Sequence, residues 1–213
     1  MSPKGRPKGE PLPLGGTARS AEGAPIRPPG RPKGEHRSAQ HEGGLFAPAW
    51  FSRQGEALTP AEESALADLL SAHPALAAVG TSVVAHWREA AAIVRAGEWD
   101  SAWWDVEEEE RERLWVIAAD RAGEQALFDA VTAVRDGLAD TVGRAARAAA
   151  ARGGLDDEDI VRAASGAALL AVQQASLAAM AGTGEGHYFV HKRALFTAGR
   201  WPLGLVRGRY YVF

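Results

Sequence analysis

The sequence predicts a mainly α fold: a helical bundle of about five helices, a small C-terminal β-hairpin and a disordered N-terminal leader. Three observations carry this. From Ala163 the chain runs nineteen residues without a charge, rich in Ala, Leu, Met and Gln, which lose little side-chain freedom in a helix. Capping residues and glycines bracket several amphipathic stretches between residues 59 and 182. The last thirteen residues, Trp201–Phe213, place two apolar runs on either side of Arg207-Gly208, the pattern of a hairpin. Three segments follow: a leader over 1–44, an α-helical domain over 45–182, and a basic, aromatic segment over 183–213 that packs on it.

The leader is rich in Pro, Gly, Ser, Arg and Glu and nearly lacks large apolar side chains. Such a composition buries too little surface to offset the entropy of ordering. The apolar cluster Leu45–Phe51 is expected to join it to the folded body. Thr59-Pro60-Ala61-Glu62 reads as a capping box with Pro at the first helical position, opening a helix through Leu66, Leu69 and Leu70 that Pro74 ends. Ser82 is expected to cap a second helix, with Val83, Val84, Trp87, Ala91 and Val94 as its apolar stripe and Gly97 as its end. Asp105 and Glu108 predict the start of a third, Val106 to about Ala122, with Leu114, Trp115, Ile117 and Ala118 facing inward. The acidic run Glu107–Glu110 reads as its solvated first turn, favourably placed for the helix dipole.

A fourth helix runs from Glu124 to about Ala151 through Leu127, Phe128, Val131, Val134, Leu138 and Val142, closed by Gly153-Gly154. The fifth, Ile160–Ala181, holds the charge-free run from Ala163, and is opened by Asp156–Asp159 and stopped by Gly182. It is long enough to cross a bilayer, but Ser165, Gln173, Gln174 and Ser176 interrupt it and no aromatic or basic belt flanks it, so a buried central helix is expected and no membrane partner. His187–Phe196 fits a strand or a short helix.

Net charge is −3 but unevenly spread: residues 1–44 carry eight Lys/Arg against four Asp/Glu, 45–182 eleven against twenty-two, and 183–213 five against one. An acidic body with basic ends bears on partners more than the total does. With no cysteine, disulfides, thiol catalysis and cysteine-ligated zinc are excluded. A cytoplasmic location is expected, and the Ala-, Arg- and Gly-rich composition points to a bacterial source.

The candidate functional residues fall in three groups. Trp99, Trp103 and Trp104 cluster, with 99 and 103 at helical spacing, and together with Tyr210 and Tyr211 of the hairpin they are candidates for a protein-binding surface. In the leader, Gly5–Glu10 and Gly30–Glu35 repeat one hexapeptide, GRPKGE. Lys4-Gly5-Arg6-Pro7-Lys8 resembles the core of an AT-hook, which implies minor-groove contact by Arg6, Lys8, Arg31 and Lys33, since a narrow A·T groove concentrates negative potential. Each copy is closed by a glutamate. His187 and His191, four apart, share a face in helix or strand and with Glu185 could serve acid–base or metal chemistry, though Tyr188 stands where a zincin needs glutamate. No metal or other cofactor is expected. The composite expectation is a non-catalytic bacterial adaptor, assembly or immunity component that binds a protein partner, with a DNA-binding accessory role as the alternative and a histidine-based enzyme third.

Overall fold

The computed structural model describes residues 48–213. The predicted contacts of Arg6, Lys8, Arg31 and Lys33, the GRPKGE repeats and Leu45–Ala47 lie outside those residues. Six helices and three strands occur in the order α1 (Pro60–Ala72), β1 (Gly80–Val83), α2 (Trp87–Ala96), α3 (Ser101–Ala122), α4 (Glu124–Arg152), α5 (Glu158–Ala181), α6 (Tyr188–Thr197), β2 (Pro202–Val206) and β3 (Arg209–Val212). The mainly helical fold and the C-terminal hairpin follow the expectation.

The central helix is α5, packed against α3, α4 and α6. Asp157 caps its N-terminus by accepting the Ile160 N–H at 3.2 Å, and Gly182 ends it in the left-handed region. Ala164, Ala168, Ala171, Ala175 and Ala178 recur at helical spacing and are buried, and Val142, Ala146, Ala149 and Ala150 of α4 belong to the same buried core. Small side chains on both helices let their backbones approach closely, so the composition of α5 is a packing device. It is the helix among the described residues long and apolar enough to cross a membrane, and it is the core helix of this fold.

The core divides along α5. Its N-terminal half, Ile160–Val172, packs with Trp50, Phe51, Trp87, Phe196 and Phe213. Its C-terminal part, Leu177–Ala181, packs with leucines of α1, α3, α4 and α6 and with Tyr188 and Tyr210. Phe128 is 55% exposed, because Leu127 and Val142 fix the buried stripe of α4.

Two helix starts differ from expectation. Ser82 caps nothing: Gly80–Val83 is a strand, and α2 begins at Trp87 after His86, whose side chain makes no capping hydrogen bond. The β-branched Thr81 and Val83 suit a strand, and β3 offers an edge, pairing in parallel with Thr81 opposite Tyr210. With β2 antiparallel on the other side, the sheet order is β1-β3-β2. The turn of the hairpin, Arg207-Gly208, has positive φ at both residues (50° and 72°), as a two-residue turn matching strand twist requires. The start of α3 is set by Asp100, which accepts the Ala102 N–H at 3.0 Å, and not by Asp105. The helix therefore begins five residues earlier. His187–Phe196 resolves as helix, with His187 as its N-cap.

Candidate binding pocket

The earlier start of α3 decides where the tryptophans go. Trp103 and Trp104 stand in its first turn, whereas Trp99 lies outside the helix and bridges to Val206 at the end of β2, so Trp99 and Trp103 do not share a helical face. All three nevertheless converge. They line a pocket of about 470 Å³ with Leu170 of α5 and Pro202 and Leu203 of β2, and its walls are overwhelmingly apolar. Trp103 is 7% exposed and forms the inner wall; Trp99 and Trp104, 36% and 44% exposed, form the mouth. Trp103 meets Trp104 edge to face at 6.2 Å.

Close approach of the sheet makes this possible. Gly204, at φ 117° beside a register shift in β2, lies under the indoles: a Cβ there would stand 2.7 Å from Trp103 and 3.4 Å from Trp99. No other residue type fits without moving a ring. Tyr210, offered by the sequence as a surface contact, is 1% exposed and meets Trp103 edge to face at 6.3 Å, so it supports the wall from within. Burial, first, and the Glu107 charge, second, push its hydroxyl pKa up. Tyr211 is half-buried beside the other part of the core.

The polar floor of the pocket was not legible in the sequence. Lys192 of α6 reaches the pocket lining, and its ammonium donates to Glu107 Oε2 at 2.7 Å, Glu107 Oε1 at 2.9 Å and Gln174 Oε1 at 3.4 Å. Gln174 Nε2 donates back to Glu107 at 3.3 Å. Glu107 is therefore buried and paired, not part of a solvated first turn. The same ammonium sits 5.5 Å from the Trp103 ring centroid. Its three N–H hydrogens match three acceptors, so it is held as a structural cation rather than as a free amine nucleophile. A sequence reader could have noticed that Glu107, Leu114 and Ala118 fall near one helical face.

His73 borders this network. It is fully buried, accepts the Ala75 N–H at Nδ1 (3.1 Å), and meets Tyr188 at a tilt of 59° with ring centroids 4.6 Å apart. Burial, with Lys192 adding to it and Glu107 opposing, lowers its pKa to about 4.

His187 and His191 part company. His187 Nδ1 accepts the Phe189 N–H that caps α6, and Nε2 lies 2.8 Å from Glu110, which Arg113 also grips at 2.6 and 2.7 Å. Arg113 first, and His187 next, hold the Glu110 carboxyl below its usual range against the opposing effect of burial. Both ring nitrogens of His187 are thus engaged, Nδ1 at the cap of α6 and Nε2 with Glu110. His191 is half-buried one turn on. Among the described residues no three His, Asp or Glu side chains group as metal ligands.

Comparison with protein-family models, with curated proteins and with solved structures returned no match.

Proposed function

We propose that this chain is a non-catalytic protein-interaction component of the adaptor, assembly or immunity type, and that its partner engages the pocket walled by Trp99, Trp103 and Trp104. One observation carries the reading: two indoles stand substantially exposed at the mouth of an apolar pocket whose only charged wall groups are a saturated lysine and a helix cap. Leaving large aromatic surface in water is unfavourable, and such residues concentrate at the anchoring centres of interfaces. The cysteine-free, Ala-, Arg- and Gly-rich composition supports placing the protein in a bacterial cytoplasm.

A photo-crosslinking residue at position 104 tests this in the cells that make the protein. The expected result is one discrete protein adduct, lost on Trp99→Ala and absent when the crosslinker stands at the equally exposed position 128. The same adducts at both positions would overturn the reading. The repeated GRPKGE hexapeptide supports a second reading, DNA contact by Arg6, Lys8, Arg31 and Lys33. It expects binding to A·T-rich duplex that falls steeply with salt and disappears when those four residues become alanine.

A further inference from the structure

We infer that the group the tryptophan pocket takes is a cation: the lysine or arginine side chain of a basic segment on the protein partner. The inference rests on the reading above and adds the chemistry of the contact. Indole faces are electron-rich and attract cations, and three indoles line this pocket. The fixed charges decide the sign. Lys192 is positive but cancelled by Glu107 at 2.7 Å. Arg207 is likewise cancelled by Glu98 beside the mouth. The Asp100 carboxylate spends one oxygen on the Ala102 N–H and has no cationic side chain against it among the described residues. Asp105, exposed and one residue past Trp104, has none either. Asp105 lies outside the lining and is offset in charge by Arg193, exposed one residue past Lys192, so within the lining Asp100 is the charge left without an opposite partner, beside the partial positive end of α3 that it caps. An anionic ligand would meet this uncompensated carboxylate, and a neutral one would gain nothing from it.

The pocket's form favours a side chain over a free small ion. About 470 Å³ is more than one ammonium or guanidinium group fills, and Leu170, Pro202 and Leu203 offer apolar wall for an alkyl stem. The exposed Trp99 and Trp104 leave the mouth open for the chain from which that side chain projects. The described residues, 48–213, carry twenty-three acidic against sixteen basic side chains, which steers a basic partner toward them.

The test uses the full chain and three seven-residue Gly/Ser peptides that differ only at the centre, holding arginine, citrulline or norleucine. Binding is read from the indole N–H resonances of Trp99 and Trp104. The arginine peptide is expected to bind at least tenfold more tightly than the citrulline peptide, which has its shape without its charge. That preference should shrink with added salt. Asp100→Ser keeps a helix cap but removes the charge, and with Asp105→Asn it should cost the arginine peptide several-fold while leaving norleucine unchanged. Trp104→Ala should weaken arginine binding at least tenfold with the helical signal intact.

Equal binding of all three peptides would overturn the cation and leave the protein-partner reading standing. Choline shifting the indole resonances while the arginine peptide does not would overturn the assignment to a side chain. Silence from every probe, with the adduct at position 104 still formed, would sink the cation alone; silence together with loss of the adduct would sink both readings.

Discussion

Among the described residues two charged pairs are buried, Arg200 with Glu62 and Lys192 with Glu107, and they are held in different ways. Arg200, fully buried, gives Nη1 to the carbonyls of Arg53 (2.5 Å) and Glu56 (2.8 Å), and Nη2 to that of Ala57 (2.7 Å) and to Glu62 Oε2 (2.9 Å). Glu62 closes the capping box of α1, accepting the Thr59 N–H at 2.8 Å. That pair fastens a loop: three of the four groups the guanidinium satisfies are backbone carbonyls, and those of Glu56 and Ala57 have no other partner. The Lys192 ammonium, by contrast, touches only side chains, two oxygens of Glu107 and one of Gln174, under the wall of a pocket. Burial of charge has the same desolvation cost at both places. What differs is whether the groups left behind could be dispensed with.

The largest expected effect follows from that difference. Arg200→Met takes the guanidinium from three loop carbonyls and from Glu62, leaving the carbonyls of Glu56 and Ala57 unpaired, and should lower stability by about 4 kcal/mol, the range for breaking one side of a buried pair. Adding Glu62→Gln should recover little, since the carbonyls of Glu56 and Ala57 stay orphaned. Lys192→Met alone should cost a similar amount, about 3–4 kcal/mol, by stranding Glu107. There the second change, Glu107→Leu, should recover most of the loss, because an apolar pair needs no partner. Urea unfolding of these four variants together with Glu62→Gln and Glu107→Leu alone completes both cycles. Equal recovery at the two places would break the comparison.

Acid should separate the pairs by pH. His73, beside Lys192 and Glu107, has its pKa lowered from 6.5 to about 4. The unfolded chain binds the proton more readily, so the stability gained by keeping this ring neutral is whole above about 6.5 and is lost as pH falls toward 4. By linkage, 2.5 pH units correspond to about 3 kcal/mol. Glu62 titrates lower. Burial raises its pKa, but Arg200 and the Thr59 N–H and hydroxyl outweigh it and hold it at about 2, down from 4.5. Its contribution is present above 4.5 and lost between 4.5 and 2. His73→Phe should flatten the upper window of a stability–pH curve and leave the lower, and Glu62→Gln the reverse. A single unsplit acid limb that neither variant alters would contradict both assignments.

What the sequence shows of these two regions also differs. The Thr59–Glu62 box, the Asp157 cap, the Gly182 stop and the Arg207-Gly208 turn are legible because both partners lie within a few residues of each other. Strand β1 is not, because Gly-Thr-Ser-Val becomes a strand only when β3, over 120 residues later, supplies the edge. Glu107 is barely legible: in a row of four glutamates only its helical spacing from Leu114 and Ala118 marks the one that α5 and α6 cover, and its partner is 85 residues away. The tryptophans were recognisable as a cluster by type, yet their arrangement turned on whether Asp100 or Asp105 capped α3. Two local signals of similar strength competed there, and the contact of Trp99 with β2 lay outside what spacing encodes.

The smallest effect expected is also the one that isolates the pocket from the fold. Gly204→Ala adds one methyl at a backbone φ of 117°, against ring atoms of Trp103 and Trp99. Strain and overpacking of this size cost about 1–3 kcal/mol, well below the loss at Arg200. The Arg200 loop lies elsewhere, so its windows and couplings should be untouched. Trp103 must move, however, and it carries the face over which the Lys192 ammonium sits. The double cycle at Lys192 and Glu107, repeated in Gly204→Ala, should therefore give a smaller coupling, while the Arg200 and Glu62 cycle keeps its value. Tryptophan emission would report the displaced indoles directly, shifting to the red as Trp103 gains water. An unchanged Lys192 coupling with shifted emission would mean that the pair and the pocket wall are mechanically independent, and that the pocket merely sits beside the charge it appears to rest on.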